Sequence, residues 1–214
     1  MATALALFAR QDVTTVTIKD IARGLGVNTA LIYYYFDSKE DLFRATLEYC
    51  IDKAITTFRR LEQKHSDPVK MIAAWFDTHT EMAPEIRQLV KIMLDFKTSG
   101  SNTRITDAAI HEFYEQERQI LSSRIWLGVE KGIFRRMTMR QAAHAADIAS
   151  THLDGIMVRS LIHPSFDVPT AIQDLEQIFW SYLGYHAPRN NGKRRGANGA
   201  RRARPPRMRA EREF

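Results

Sequence analysis

Residues 14–47, TTVTIKDIARGLGVNTALIYYYFDSKEDLFRATL, constrain the fold more than any other stretch of the chain. Ala22, Gly26 and Ile32 stand at the spacing A-x3-G-x5-I, which suits two short helices joined by a tight turn. A small residue lets the helices approach, and a glycine in the turn takes positive φ without a Cβ clash. The branched residue of the second helix then packs back onto the first. Asn28 is placed to cap that second helix by accepting a backbone N–H bond. Ser38 caps the helix after it, with Asp41 at the third position as the partner of a capping box. The three-residue spacing alone is weak; the residues that follow it make it specific.

Val27-Asn28-Thr29-Ala30-Leu31-Ile32-Tyr33-Tyr34-Tyr35-Phe36, then Ser38-Lys39-Glu40-Asp41-Leu42, closely resembles the DNA-binding signature of TetR-family transcriptional regulators. So does Thr17-Ile18-Lys19-Asp20-Ile21-Ala22 before it. The match covers about the first fifty residues, and the remainder is similar to the family in length and helical character. The chain departs from the family by beginning inside the first helix, with Asp12 where that helix usually ends at glycine, and Leu31 replaces a small or hydroxyl residue. The resemblance implies a homodimeric regulator, most often a repressor, with a helix-turn-helix domain on a larger ligand-binding and dimerisation domain.

The rest of the chain reads as helix. Ala2 to Arg10 forms a first helix, with Leu5 and Phe8 packing beneath the helix-turn-helix. Phe43, Leu47, Ile51, Ala54, Phe58 and Leu61 recur at steps of three and four, one stripe of a helix from Lys39 to about Gln63. Asp67-Pro68 opens the next, since proline is tolerated at the first helical position. Pro84 punctuates, Ile86 to Phe96 follows, and Ser99-Gly100-Ser101-Asn102 breaks it. A long helix runs from about Ile105 to Glu130, another from Thr138 to Ile162, and a last from Asp167-Pro169 through Tyr185. The expected fold is all-α, about nine helices with no convincing strand. The expected division is a DNA-binding domain at 1–48, a helical ligand-binding and dimerisation domain at 49–187, and a disordered basic tail at 188–214.

Charge has to be divided along the chain before it means anything. Residues 187–214 hold ten Arg/Lys against two Glu, a balance of +8, whereas residues 1–186 carry −2. The tail has few apolar residues, and its Gly, Pro and Asn oppose regular structure. It could add a salt-sensitive grip on phosphates or simply remain solvated. No run of 18 apolar residues and no signal peptide is visible, which points to a cytoplasmic protein without membrane contact. The single Cys50 rules out a disulfide framework within the chain and falls on an apolar stripe, where buried filler is the ordinary reading.

On the helix from Thr29 to Phe36, Ile32 and Phe36 are four apart and face the core. Thr29 and Tyr33 share the opposite side, with Ala30 and Tyr34 beside them, where a recognition helix meets the major groove. The resemblance implies DNA contacts from Thr29, Ala30, Tyr33, Tyr34 and Lys39, and from Lys19. Lys39, in the first turn of its helix, is suited to a phosphate. The surface has no Arg, Asn or Gln for bidentate base contacts, so sequence reading rests on Lys19, Thr29, thymine methyls and DNA shape.

In the larger domain the resemblance implies a four-helix dimer interface from the last two long helices. Candidates there are His152, Ile156, Arg159, Phe179, Trp180 and Leu183, some of which face the protomer's own core. Trp75, Phe76, His79, Met93, Phe96, Phe113, Tyr114 and Trp126 are the large residues of the central helices. They are candidates for a pocket that takes a small hydrophobic inducer. No cofactor or metal site is expected: His144 and His152 are too far apart on one helix to share an ion. Nucleophile-elbow, P-loop, HExxH and dinucleotide glycine patterns are absent, giving enzyme chemistry no foothold. The expected partners are a pseudo-palindromic double-stranded operator, a second copy of the chain and the inducer. The competing readings are a non-inducible nucleoid-type DNA binder and a helical interaction protein without ligand sensing.

Overall fold

The computed structural model describes residues 2–10, 15–98 and 104–186; among them are nine helices and no strand. They are α1 (Ala2–Arg10), α2 (Ile18–Leu25), α3 (Thr29–Tyr35), α4 (Lys39–Lys64), α5 (Pro68–Glu81), α6 (Ala83–Thr98), α7 (Arg104–Glu130), α8 (Met139–Ile162) and α9 (Val168–Leu183). Asp12, the Ser99–Asn102 break and the basic tail lie outside the described residues. No helix among the described residues is long and apolar enough to cross a membrane.

Most starts are set by a side chain that satisfies one of the first-turn N–H groups. Thr17 accepts from Asp20 N–H while the Asp20 carboxylate accepts from Thr17 N–H at 3.0 Å, a full capping box on α2. Asn28 accepts from Leu31 N–H at 2.8 Å and starts α3. Ser38 accepts from Asp41 N–H at 3.0 Å, but the Asp41 carboxylate reaches Asp37 N–H at 3.3 Å, one residue further back than expected. Asp67, Thr138 and Asp167 cap α5, α8 and α9 in the same way. Gly26 takes φ +69° in the turn between α2 and α3, the left-handed conformation its position predicted. One boundary differs materially. α6 starts at Ala83, three residues before the expected Ile86, because Pro84 sits in the first turn, where a missing N–H costs no helical bond.

α1 to α3 and the start of α4 enclose a small core of Ala4, Phe8, Val16, Ile21, Ala22, Ile32 and Phe43. Phe8 meets Phe43 edge to face at 4.9 Å, so α1 lies under the helix-turn-helix as expected. In the larger part, α5 is the central helix: Met71, Ile72, Trp75 and Phe76 are all buried, with α4, α6, α7 and α9 around them.

The close of α7 depends on a glycine. Gly128 is packed under the Phe134 ring, and a Cβ there would lie 2.1 Å from two ring carbons. Phe134 is held in turn by Trp180 and Tyr185 near the end of α9. Alanine favours a helix interior by about 1 kcal/mol over glycine, but here the clash opposes a ring with no free side. Gly128→Ala should therefore lower stability by about 1–3 kcal/mol in urea unfolding. Equal or greater stability would show that the ring moves aside freely.

Candidate nucleic-acid interface and internal cavity

The small core fixes which side of α3 faces solvent. Ile32 is buried and Phe36 half-buried, so Ala30, Leu31, Tyr33, Tyr34 and Tyr35 turn outward. Tyr34 is 79% exposed and meets Tyr35 edge-on at 5.0 Å. A run of exposed aromatic and apolar side chains on one short helix marks a surface built for contact. Lys19, Thr29, Tyr33 and Lys39 line one shallow depression together with Val16, Thr17 and Ile18. Four of the six residues proposed for DNA thus meet around one concavity, with Ala30 and Tyr34 on the exposed flank beside it. The N-terminal ends of α2 and α4 both reach that depression, bringing their positive dipole ends to it. Thr17, Leu31 and Tyr35 share this surface and were not among the candidates; Leu31 and Tyr35 are exposed because Ile32 alone is the buried residue of α3, and Thr17 is the exposed cap of α2.

A second concavity is internal, of about 30 Å³, between α4, α5, α6, α7 and α8. Of the eight candidate ligand residues, His79, Met93, Phe113 and Tyr114 line it. The others do not. Trp75 lies behind it, 4.4 Å from the His79 ring, and Phe76 packs against Phe179 at 5.6 Å. Trp126 is half-buried further along α7 and donates to Glu130 at 2.8 Å. The Phe96 side chain lies outside the described residues.

The sequence reading missed the polar half of this cavity. Glu117 and Ser150 hydrogen-bond each other, Tyr114 donates to Asp154 at 2.8 Å, and His79 Nε2 lies 3.7 Å from Glu117 Oε1. His79 Nδ1 is 2.7 Å from the Trp75 carbonyl oxygen, an acceptor only, so this nitrogen carries a proton. Burial pushes the Asp154 carboxyl up to about 6, against the hydrogen bond from Tyr114 that lowers it. Glu117 and Asp154 come from different helices, and no local pattern marks either one. Cys50 is buried on α4, where loss of solvation pushes its thiol up to about 11 and suppresses the reactive thiolate.

The dimer candidates divide by burial. Phe179 and Leu183 point into the protomer's own core, the alternative already open for some of this group. His152 and Arg159 are exposed, Ile156 is half-buried, and Trp180 is half-buried against Phe134 and Tyr185. On the same two helices Ile162 and Ile178 stand 78% and 66% exposed, a stronger apolar signal than any of the six.

The fold defines a class of protein, a helix-turn-helix unit with an exposed second helix on a larger helical body. Residues 1–46 match the family model described as bacterial regulatory proteins, tetR family. The transcriptional repressor KstR2 of Mycobacterium tuberculosis is 26% identical over 133 residues, which cover 62% of this chain and 66% of that protein. A transcriptional regulator from Saccharomonospora viridis, solved with choline, is similar in fold with a TM-score of 0.74 and 23% identity, over 85% of this chain and 93% of that one. The FadR regulator of Bacillus subtilis, solved with stearoyl-CoA, has a TM-score of 0.69 and 17% identity, over 86% of this chain and 97% of that one. Residues 1–46 thus carry the tetR-family domain, and the helical body that follows is similar in fold to solved regulators of that family.

Proposed function

We propose that the chain is a homodimeric repressor that binds a pseudo-palindromic operator in the cytoplasm and leaves it when a small, largely apolar molecule occupies the helical body. It acts as a regulator, not as an enzyme. The observation that carries this reading is the meeting of Lys19, Thr29, Tyr33 and Lys39 around one depression beside the exposed tyrosines of α3. Residues 1–48 would serve DNA, residues 49–187 the effector and the dimer, and 188–214 would add sequence-independent phosphate contacts. The exposed Ile162 and Ile178 on α8 and α9 support a dimer face there. Regulators of similar fold have been solved in complex with molecules as different as choline and stearoyl-CoA, which supports effector binding here without naming the effector.

Two helices connect the cavity to the DNA-binding end. α4 contributes Ala54 and Phe58 to the cavity wall and begins at Lys39. α6 contributes Ile86, Leu89, Val90 and Met93, and its Lys91 donates to the Phe8 carbonyl of α1 at 3.3 Å. An effector that reshapes the wall therefore bears on α1 and α4 together. It releases DNA only to the extent that it prefers the released arrangement.

Selection from a random duplex library with the full-length chain tests the reading. Enriched sites should be two-fold symmetric, with half-site centres about 10–10.5 base pairs apart or a multiple of that. No enrichment would sink the repressor reading. Lys39→Ala should weaken specific and scrambled duplexes by a similar factor and reduce the salt slope by about one unit, as expected for one lost phosphate contact. An unchanged slope would remove Lys39 from the interface.

A further inference from the structure

We propose that the internal cavity is built for a small organic cation, an amine or quaternary ammonium with an apolar body, held between the carboxylates of Asp154 and Glu117 and the rings of Phe58, Phe113 and Tyr114. This rests on the reading of the chain as an effector-responsive regulator and names the effector's chemical class.

Among the described residues, the cavity wall carries two carboxylates and neither Lys nor Arg, and His79 is its one basic group. His79 Nε2 lies 3.7 Å from Glu117 Oε1, so the one imidazole faces Glu117 and leaves Asp154 with no basic side chain against it among the described residues. Tyr114 donates a hydrogen bond to it, which spreads the charge without cancelling it. The remaining wall is apolar and aromatic: Phe58 lies parallel to His79 at 5.4 Å, and Phe113 stands edge-on to Tyr114 at 5.1 Å.

Each ligand class meets this wall differently. An anion would enter beside two carboxylates and be repelled. A neutral apolar molecule would strip water from Asp154 and leave nothing in exchange, which is unfavourable for a buried charge. A cation supplies the missing charge, and aromatic ring faces attract the same species. The free volume of about 30 Å³ is on the order of two water molecules, so the apolar body of the ligand must displace side chains. Met93, unbranched and flexible, is the wall residue best suited to move, and it lies on α6 within two residues of Lys91.

The test uses three probes of one chain length on the full-length protein: hexyltrimethylammonium, 1-hexanol and hexanoate, by calorimetry and by thermal melting. The ammonium should bind at least tenfold more tightly than either other probe and raise Tm. Asp154→Asn should weaken the ammonium at least tenfold and leave 1-hexanol within about twofold. Glu117→Gln is the second variant, with the same direction expected. Hexanol or hexanoate binding as well as the ammonium would overturn the proposal, as would absence of ammonium binding or ammonium binding untouched by both variants. Measuring release of the selected operator in parallel separates the two readings. If hexanol or hexanoate releases DNA and the ammonium does not, effector response stands and the cation does not. If the ammonium binds in the cavity without affecting DNA, the cation site stands and the effector role fails.

Discussion

Trp75→Ala should cost the folded protein about 3–5 kcal/mol, the largest single loss we expect in the chain. Trp75 is fully buried at the middle of α5 and makes ring contacts with Phe76 at 5.0 Å, His79 at 4.4 Å and Phe58 at 6.4 Å. The helices around it meet through this side chain, so they cannot close the space it leaves without moving apart elsewhere. Trp75 Nε1 has no hydrogen-bond partner among the described residues. Trp75→Phe discards that unsatisfied donor and keeps most of the ring, so it should cost no more than about 1.5 kcal/mol. Urea unfolding at one fixed protein concentration compares the three proteins, since dimer stability depends on concentration. A Trp75→Ala loss below about 1 kcal/mol would show that the centre of the body is loosely packed.

The same residue shows where sequence reading reaches its limit. Trp75, Phe76 and His79 are large side chains on one short helix, and periodicity places them inward together. It does not say that Phe76 meets α9 while His79 meets α7, because that depends on how the helices cross. The helix-turn-helix was legible because its determinants are local: Ala22, Gly26, Asn28 and Ile32 fall within eleven residues and each fixes one feature of the turn. The cavity is assembled from five helices. Glu117, Ser150 and Asp154 read in sequence as ordinary polar positions on long helices, since a solvated charge and a buried one look alike until the partner helix is placed. Phe179 and Leu183 were ambiguous for a related reason. α9 has one face for the protomer and one for what lies outside it, and an apolar stripe does not label the two. Pro84 misled by a general rule applied one turn too strictly: proline ends helices from within and opens them from the first turn.

Asp154→Asn should stabilise the empty protein, and the gain should appear only as pH rises. The Asp154 carboxyl is raised from an ordinary 3.8 to about 6, first by burial, with Glu117 adding repulsion, while Tyr114 and His79 act in the opposite direction. A folded-state value above the unfolded one means that the native protein holds the extra proton between those two pH values. The native state is therefore at no disadvantage from this group below about pH 4, and loses stability as pH rises from there through about 6. Above that the loss is constant, on the order of 3 kcal/mol for a shift of this size. Asparagine keeps an oxygen to accept from Tyr114 and has no charge to bury. The variant should match the natural protein at pH 4 and exceed it by up to about 3 kcal/mol at pH 7.5, read as the difference between two unfolding series. Glu117 and His79 face the same cavity in both proteins. A gap that is flat with pH, or a variant less stable at pH 7.5, would mean that Asp154 is adequately compensated in the empty state. If the gap opens as expected, the natural sequence retains a charge that weakens the empty fold. Such a cost persists where function needs the group, and a cation that balances Asp154 would recover on binding the stability that the empty cavity lacks.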